Sequence, residues 1–322
     1  MYRPLLAAIF LATPALADYK EVVKDHILPG YAAFAAATAD LAEKAGTSCD
    51  PEVLRPAYQT AFDAWMGVSH LHLGPAEEKG RALAIAFWPD PKGLGAKAQR
   101  GLLTGDPAAL APEAFADQSV AARGLMGLER LLYPDEPPAA DPCALIRVTA
   151  SDLARMAGEI EAGWRDGYAG LMLSPGAEGN DTYLTEQEVR QALFTQLATA
   201  LEFLADTRLG RPLGTFDRPR PERAEARAAG RSLLNVREEL AALRDLTARL
   251  APEAADTLAA FDRAIGLADK LDDPVFAGVA DPQGRLKVEI LQGAVTTARD
   301  LAVAELGKDL GVSIGFNAGD GD

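Results

Sequence analysis

The sequence predicts an all-α protein made of two four-helix-bundle-like domains. Apolar residues recur at every third or fourth position through most of the chain, which is the helical period. Ala and Leu are abundant, and no convincing run of alternating β-branched residues indicates a strand. The length of 322 residues suits about two domains. Eight amphipathic segments therefore divide into two bundles of about four helices each.

The second segment shows the helical pattern clearly, because Tyr58, Phe62 and Trp65 fall on one face. Residues 74–116 lack a clear helical period and contain several Gly and Pro turns. A loop-rich region this long in a helical protein is more often functional than idle. The predicted helices span residues 18–45, 52–73, 117–132, 143–170, 185–208, 221–249, 253–270 and 283–310.

The first 17 residues have the pattern of a secretory signal peptide. Arg3 supplies the positive charge, residues 5–11 are apolar, and Ala15-Leu16-Ala17 is a small-x-small cleavage site. No later stretch approaches the roughly 20 apolar residues of a membrane span. We therefore expect cleavage near Ala17 and a periplasmic protein without a membrane span. Turn clusters between residues 140 and 180 suggest an N-terminal domain at 18–150 and a C-terminal domain at 151–322.

The charge balance excludes one class of partner. The chain has 32 basic and 47 acidic residues, a net charge of −15, and a pI near 4.7. A nucleic-acid surface needs concentrated positive charge, so we expect no nucleic-acid partner. An acidic surface also tolerates cations, although most acidic proteins are simply kept soluble by their charge.

The two cysteines, Cys49 and Cys143, are predicted to form one disulfide in an oxidising compartment. The alternative is two unpaired thiols. A bridge that closes a loop this long stabilises the fold by roughly 4 kcal/mol in the chain-entropy model. Two cysteines this far apart in sequence do not suggest a cysteine-based metal site.

The three histidines each have two interpretations. His70 and His72 lie two positions apart near the end of the second predicted helix, so they point in different directions if the helix continues. Either they are hydrogen-bonded core residues, or one of them is a ligand in a binding cleft. His26 precedes Pro29, which removes a backbone donor and can kink the helix. His26 therefore faces either the core or the cleft.

Residues 119–132 form the second candidate for chemistry. Glu129 lies at the border of the apolar face of this predicted helix, which favours either an arginine partner or a functional role. Gly124 and Gly127 each cost roughly 1 kcal/mol in a helix interior. Such a cost makes sense where another helix or a ligand comes close. A purely structural Arg–Glu contact between helices is the competing interpretation.

The order of motifs along the mature chain resembles the imelysin family. The motifs are His26-Ile-Leu-Pro-Gly-Tyr31-Ala-Ala-Phe34, Ala61-Phe-Asp-Ala-Trp65 leading into Gly74-Pro75, Phe87-Trp88-Pro89-Asp90, Arg123-Gly-Leu-Met-Gly-Leu-Glu-Arg-Leu-Leu132, Arg208-Leu-Gly-Arg211-Pro-Leu-Gly214, and the closing Leu310-Gly-Val-Ser-Ile-Gly-Phe316-Asn317-Ala-Gly-Asp320-Gly-Asp322. The resemblance implies an exported bacterial protein with two helical bundles around a cleft. Known members have been classed as metallopeptidases, and related domains occur in periplasmic iron-uptake components.

The family is marked by a Gly-x-His-x-x-Glu motif, in which an imidazole and a carboxylate three residues apart can share one cation. The matching residues here are Gly124, Met126 and Glu129, so a methionine stands where the family has histidine. A thioether is a poor ligand for zinc or iron in a hard site, and it cannot serve as a general base. We therefore do not expect peptidase activity by the family mechanism.

Two arrangements remain open for the cleft. In the first, Glu129, Asp90, Glu77 or Glu78, and His70 or His72 form a substitute site for a divalent metal, iron or zinc. In the second, Arg123 pairs with Glu129 or Asp90 and leaves a polar cleft for a small anion or a peptide. The motif and cleft candidates are Gly124, Met126, Glu129, Arg123, Trp88, Asp90 and His26.

The function that we expect is a non-catalytic periplasmic protein that binds a metal ion or small ligand between its domains and serves iron or metal uptake. Its expected partners are that ligand and a periplasmic or outer-membrane uptake component. A metallopeptidase with a degenerate site is one alternative. A periplasmic adaptor that binds another exported protein is the other. Apart from the divalent metal, no cofactor is expected.

Overall fold

A computed structural model describes residues 19–309, and in this part of the chain every regular element is helical, without a β-strand. The predicted signal segment 1–17 and the closing motif 310–322 lie outside the described residues. The eleven α-helices of residues 19–309 are α1 (Tyr19–Glu21, Val22–Ile27 and Leu28–Thr47), α2 (Pro51–Met66), α3 (Arg81–Ile85), α4 (Leu94–Thr104), α5 (Pro112–Ala116), α6 (Gly124–Leu132), α7 (Cys143–Gly163, Trp164–Tyr168 and Ala169–Leu173), α8 (Glu186–Glu202, Phe203–Leu209 and Gly210–Leu213), α9 (Ser232–Leu250), α10 (Ala255–Ala268) and α11 (Pro282–Asp309). None of these helices is long and apolar enough to cross a membrane.

The all-α prediction is confirmed, but several predicted boundaries are wrong. Helix α2 ends at Met66 instead of continuing to residue 73. The segment predicted as one helix at 117–132 is a 3₁₀ turn at Val120–Ala122 followed by an α-helix that starts at Gly124, whose positive φ of 64° separates the two. Helix α9 starts at Ser232 instead of residue 221, after a short turn at Pro221–Arg223 and a left-handed Gly230. The region 74–116 contains the short helices α3, α4 and α5.

Three of the long helices contain a π-helical turn, at Val22–Ile27 in α1, Trp164–Tyr168 in α7 and Phe203–Leu209 in α8. A π-helical turn inserts one extra residue per turn and rotates the following side chains relative to a regular helix. His26 and Arg208 lie within two of these turns. The side chains of both residues therefore have directions that a regular helical period does not predict.

The helices pack as an N-terminal group, α1–α7, and a C-terminal group, α8–α11. Helix α1 lies along α2 and α7, and α6 packs on α7. In the second group, α11 lies along α10 and α8, and α9 packs on α10. This packing is consistent with two bundles. The domain boundary expected at residue 150 falls inside the Cys143–Gly163 helix, and the division of the chain into independent domains stays a prediction.

The predicted disulfide is confirmed. Cys49 precedes α2 and Cys143 begins α7, and their Cα atoms lie 5.2 Å apart across a sequence separation of 94 residues. The bridge therefore ties the start of α2 to the start of α7. Aromatic pairs fill the core beside these helices, with Tyr31 stacked on Trp164 at 5.7 Å and Phe34 tilted against Trp65 at 5.2 Å between ring centroids.

Helix α9 connects the two groups, because it contacts α2 and the π-helical turn of α1. The loop between α3 and α4 also reaches across, since the ring of Trp88 meets the edge of Phe203 on α8 at 6.1 Å. The surfaces brought together by these contacts are called the group interface below.

Candidate functional site

The motif glutamate is buried at the group interface. Glu129 is 6% exposed, and its Oε1 accepts a hydrogen bond from the backbone N–H of Ala229 at 3.0 Å. Burial raises the pKa of Glu129, while the amides of Ala229 and Ala228 and the charge of Arg130 oppose the rise. The carboxylate thus joins α6 to the loop before α9.

The motif glycines make room for backbone, not for a ligand. A Cβ on Gly124 would lie 2.2 Å from the carbonyl oxygen of Ala84 and 2.3 Å from that of Ile85. A Cβ on Gly127 would lie 2.5 Å from the carbonyl oxygen of Ala122. These distances are far below ordinary contact, so both positions require glycine for the close approach of neighbouring chain segments.

Arg123 does not pair with Glu129 or Asp90, and that predicted arrangement is wrong. Its guanidinium forms a fork with the carboxylate of Asp152 on α7, with Nε to Oδ2 at 2.8 Å and Nη2 to Oδ1 at 3.2 Å. Both side chains are buried. The reason is that α6 packs on α7, so the nearest carboxylate comes from that helix. The pair is a structural tie between two helices of the N-terminal group.

Asp90 has a local structural role. Its two carboxylate oxygens accept the backbone N–H groups of Leu94 at 2.9 Å and Gly95 at 2.8 Å, at the start of α4. These amides have no partner inside the helix, so the carboxylate accepts hydrogen bonds from N–H groups that would otherwise be unpaired. Trp88 precedes Asp90 and is joined to Pro89 by a cis peptide bond. The side chain of Trp88 is partly exposed.

The histidines separate into a buried pair and an exposed residue. The Nδ1 of His26 lies 2.8 Å from Oδ2 of Asp245 on α9, and its Nε2 lies 3.1 Å from Nε2 of His70. Burial lowers the pKa of His70 well below the ordinary value, and the charges of His26 and His72 act in the same direction. His72 is exposed and lies 3.1 Å from Glu77.

The proposed metal ligands are distributed over several places. Glu129 bonds to Ala229, Asp90 caps α4, His70 meets His26, and His72 meets Glu77. Glu78 pairs with Arg81. Residues 19–309 contain no group of three or more His, Cys, Asp or Glu side chains that could hold a metal ion. The donors around Glu129 therefore do not fit the cation that the family motif implies.

A buried charge network occupies the centre of the group interface, and sequence reasoning missed it. Nη1 of Arg208 donates to Oε2 of Glu239 at 2.7 Å, and its Nε lies 3.2 Å from Oε2 of Glu225. Asn235 donates to the same oxygen of Glu225 at 2.8 Å and accepts from Nε of Arg231 at 2.7 Å. All five side chains are buried. Arg208 belongs to the Arg208–Gly214 motif, and that membership was the sequence signal that could have indicated a special role for this residue.

Arg208 serves two carboxylates, so the network contains more negative than positive charge at this point. Burial raises the pKa of Glu239 to about 7, with Arg208 opposing the rise and Glu225 adding to it. Arg231 extends the network into the N-terminal group, because its Nη2 donates to Asp63 at 2.7 Å and its Nη1 contacts Gln59. The network thus connects α2, α8 and α9.

The edge of the group interface near Trp88 has a different character. Trp88, Phe203 and Arg211 are all partly exposed, and the central carbon of the Arg211 guanidinium lies 5.9 Å from the Trp88 ring centroid. The Nε of Arg211 is buried and has no hydrogen-bond partner among the described residues. Burial lowers the pKa of Arg211, and the charge of Arg223 lowers it further. These four side chains are called the arginine–aromatic edge below.

Comparison with known proteins agrees with this architecture. The family model described as imelysin (peptidase M75) matches residues 27–302. An imelysin-like protein from Psychrobacter arcticum has a similar structure, with a TM-score of 0.75 and 23% identity over 92% of this chain and 96% of that one.

Two further relatives are iron-regulated by description. Iron-regulated protein A of Synechococcus elongatus is 23% identical over 303 residues, which are 85% of this chain and 81% of that protein. A protein of Parabacteroides distasonis described as an iron-regulated protein A precursor has a similar fold, with a TM-score of 0.61 and 13% identity over 89% of this chain and 94% of that one.

Proposed function

The chain belongs to the imelysin family, and from that premise we propose that it is a non-catalytic member, exported to the periplasm, that binds a small ligand between its helix groups and serves iron acquisition. Its ligand site is the arginine–aromatic edge and the cleft that we propose beside it. The metallopeptidase alternative and the direct metal site of the sequence prediction are less well supported by the residues present.

The main support for a non-catalytic protein is the environment of Glu129. A metallopeptidase needs an open metal position and a group that activates water. Here the carboxylate is 6% exposed and is bound to the Ala229 amide, and the position of the family histidine is occupied by Met126. Neither side chain can supply the missing imidazole. Glu129 is therefore assigned a structural role, in holding the loop before α9 against α6.

The iron-related and periplasmic parts rest on the relatives, the signal-like segment and the disulfide. Two relatives are described as iron-regulated, which motivates a role in iron supply for this chain. The signal-like segment at residues 1–17 motivates export, and the Cys49–Cys143 disulfide suits an oxidising compartment. An uptake component in the same compartment is the macromolecular partner we propose.

Peptidase assays on the mature chain test the non-catalytic assignment. We expect no chelator-sensitive cleavage of fluorescent casein in the presence of zinc, ferrous or manganous ions. Glu129→Gln is the informative variant, and Glu253→Gln, at an exposed carboxylate on the loop before α10, is the matched control. Cleavage that is abolished by chelator and by Glu129→Gln, but retained in the control, would show that the protein is a peptidase.

Growth of the producing bacterium tests the iron role. Deletion of the gene is expected to reduce growth and ⁵⁵Fe accumulation in chelator-treated medium, and to have no effect in iron-replete medium. Complementation with the full chain restores both, whereas a chain without the signal segment 1–17 does not. Equal ⁵⁵Fe accumulation in deletion and parent strains would contradict the proposal.

A further inference from the structure

We propose that the arginine–aromatic edge is a binding site for the carboxylate of a small organic acid, held by Arg211 and Arg223, with the carbon skeleton of the acid against Trp88 and Phe203. This inference rests on the proposed ligand-binding function only in treating the edge as a ligand site. It adds the chemical class of the ligand, which neither the family motif nor the relatives indicate.

The first support is the unmatched charge of Arg211. Its guanidinium has no carboxylate of the described residues within 4 Å, and its buried Nε has no hydrogen-bond partner there. Buried hydrogen-bond donors nearly always have a partner in folded proteins. The donors of a guanidinium need one most, because its charge is costly to desolvate. A ligand acceptor at this position would remove that cost.

The second support is a neighbouring positive charge. The short turn Pro221–Arg223 packs against the Gly210–Leu213 end of α8 and brings Arg223 near Arg211. The charge of Arg223 lowers the pKa of Arg211, so the two guanidinium groups repel each other, and an anion between them turns that repulsion into attraction. Arg223 is exposed and forms no ion pair with a described residue, so it is free to close on a ligand.

The third support is the form of the surrounding surface. Trp88 and Phe203 meet edge to face at 6.1 Å and come from opposite helix groups. Apolar walls with a few polar groups are the usual lining of small-molecule sites, and such sites prefer boundaries between structural units. Arginine binds carboxylates through a planar two-pronged fork, whereas a bare metal cation would be repelled by both guanidinium groups. A small organic carboxylate satisfies the charge and the aromatic surface together.

The natural fluorescence of the protein permits a direct test. The chain has three tryptophans, and Trp65 and Trp164 are 3% and 0% exposed, so a ligand at the edge changes mainly the emission of Trp88. We would titrate the mature protein with benzoate, and with benzyl alcohol as an uncharged analogue of the same size. Benzoate is expected to give a saturable change that Trp88→Phe removes, and benzyl alcohol is expected to give none.

Three arginine variants locate the charge. Arg211→Gln is expected to weaken benzoate binding at least about tenfold, and Arg223→Gln several-fold, because charge-assisted hydrogen bonds to a carboxylate are among the strongest in proteins. Arg263→Gln removes one exposed arginine from α10 and is expected to bind as the wild type does. Circular dichroism and thermal melting establish that each variant is folded, and exposed Arg223 provides the variant that is safest for folding.

Two results would overturn the inference. One is the absence of saturable benzoate binding to the folded wild type, and the other is unchanged benzoate binding in both Arg211→Gln and Arg223→Gln. This test uses no iron and no cells, so its failure is distinguishable from a failure of the iron-acquisition role. An intact iron phenotype with no carboxylate binding would reject the ligand class alone.

Discussion

Arg208 and Arg211 lie three residues apart on α8, and both belong to the group interface, but their surroundings differ. Arg208 is 5% exposed and is bound by two buried carboxylates. Arg211 is partly exposed and has no carboxylate partner among residues 19–309. Both guanidinium groups lie over an aromatic ring, Arg208 over Phe203 at 5.2 Å and Arg211 over Trp88 at 5.9 Å, so the carboxylates and the exposure make the difference. The difference separates charged groups that are paired within the chain from a charged group that could still bind a ligand. Buried charges of the first kind are structural, and the unmatched charge of the second kind marks the candidate site.

Glu129 belongs with Arg208 in this comparison. Its carboxylate is satisfied inside the chain by the Ala229 amide. A residue that lies at the position of a family motif has therefore become part of the interface between the helix groups. The ligand site that we propose therefore lies at the arginine–aromatic edge and not on α6.

The largest expected effect comes from truncating the two arginines in parallel. Arg208→Ala leaves Glu225 and Glu239 buried without their cation, and removing one partner of a buried ion pair costs about 3 to 5 kcal/mol of unfolding free energy. Arg211→Ala is expected to cost less than about 1 kcal/mol, because it breaks no ion pair. Urea unfolding of both variants measures the difference. Equal losses of unfolding free energy would contradict the claim that Arg208 is structural and Arg211 is not.

The motif glycine should respond as a packing residue. Gly124→Ala places a Cβ 2.2 Å from the Ala84 carbonyl oxygen at a left-handed φ of 64°, so we expect a loss of about 2 to 4 kcal/mol. Gly158→Ala is the matched control, since Gly158 lies within α7 with nothing within 4 Å of the added Cβ. It should stabilise the protein by about 0.5 to 1 kcal/mol. Thermal melts measure both changes, and a neutral Gly124→Ala would contradict the packing role.

The buried carboxylates predict a pH dependence of stability. The pKa of Glu239 is raised from 4.5 to about 7 in the folded chain, so the folded state retains a proton that the unfolded chain releases. The stabilising contribution of Glu239 is therefore complete below pH 4.5 and is lost as the pH rises through about 7. We expect Glu239→Gln to remove a decline on the order of 1 to 3 kcal/mol between pH 4.5 and 8.

Urea unfolding at a series of pH values measures this decline. Glu253→Gln, at an exposed position, is the control and should follow the wild-type profile. A Glu239→Gln profile that also matches the wild type between pH 4.5 and 8 would show that Glu239 is ionised throughout and would contradict the prediction.

The local features of the fold could be predicted from the sequence, because they depend on neighbours along the chain. The helical period identified the long helices, and the export-like context of Cys49 and Cys143 predicted their bridge. Helix starts were predicted poorly at α6 and α9, where a left-handed glycine and a short turn interrupt an otherwise helical composition. Composition does not reveal a single residue with positive φ.

The partners of charged residues could not be predicted, because they come from other helices. One of the two arrangements left open by the sequence put Arg123 against Glu129 or Asp90, but the carboxylate that Arg123 binds is Asp152 on α7. Buried Glu239 is paired with Arg208, which lies within the π-helical turn of α8 and therefore has a direction that a regular helix would not give it. An unmatched charge such as Arg211 becomes visible only when every neighbouring carboxylate has been located.

The most direct test of the account is a comparison of iodide and caesium as quenchers of Trp88. The chain carries a net charge of −15, which by itself attracts caesium and repels iodide. Each quenching constant is divided by that of free N-acetyltryptophanamide, because iodide is the more efficient quencher of any indole. On this scale iodide is predicted to quench Trp88 more strongly than caesium, because Arg211 and Arg223 give the edge a local positive charge, and Arg211→Gln is predicted to reverse the order. A larger normalised constant for caesium in the wild type would contradict the central claim that this edge holds positive charge unmatched by the fold.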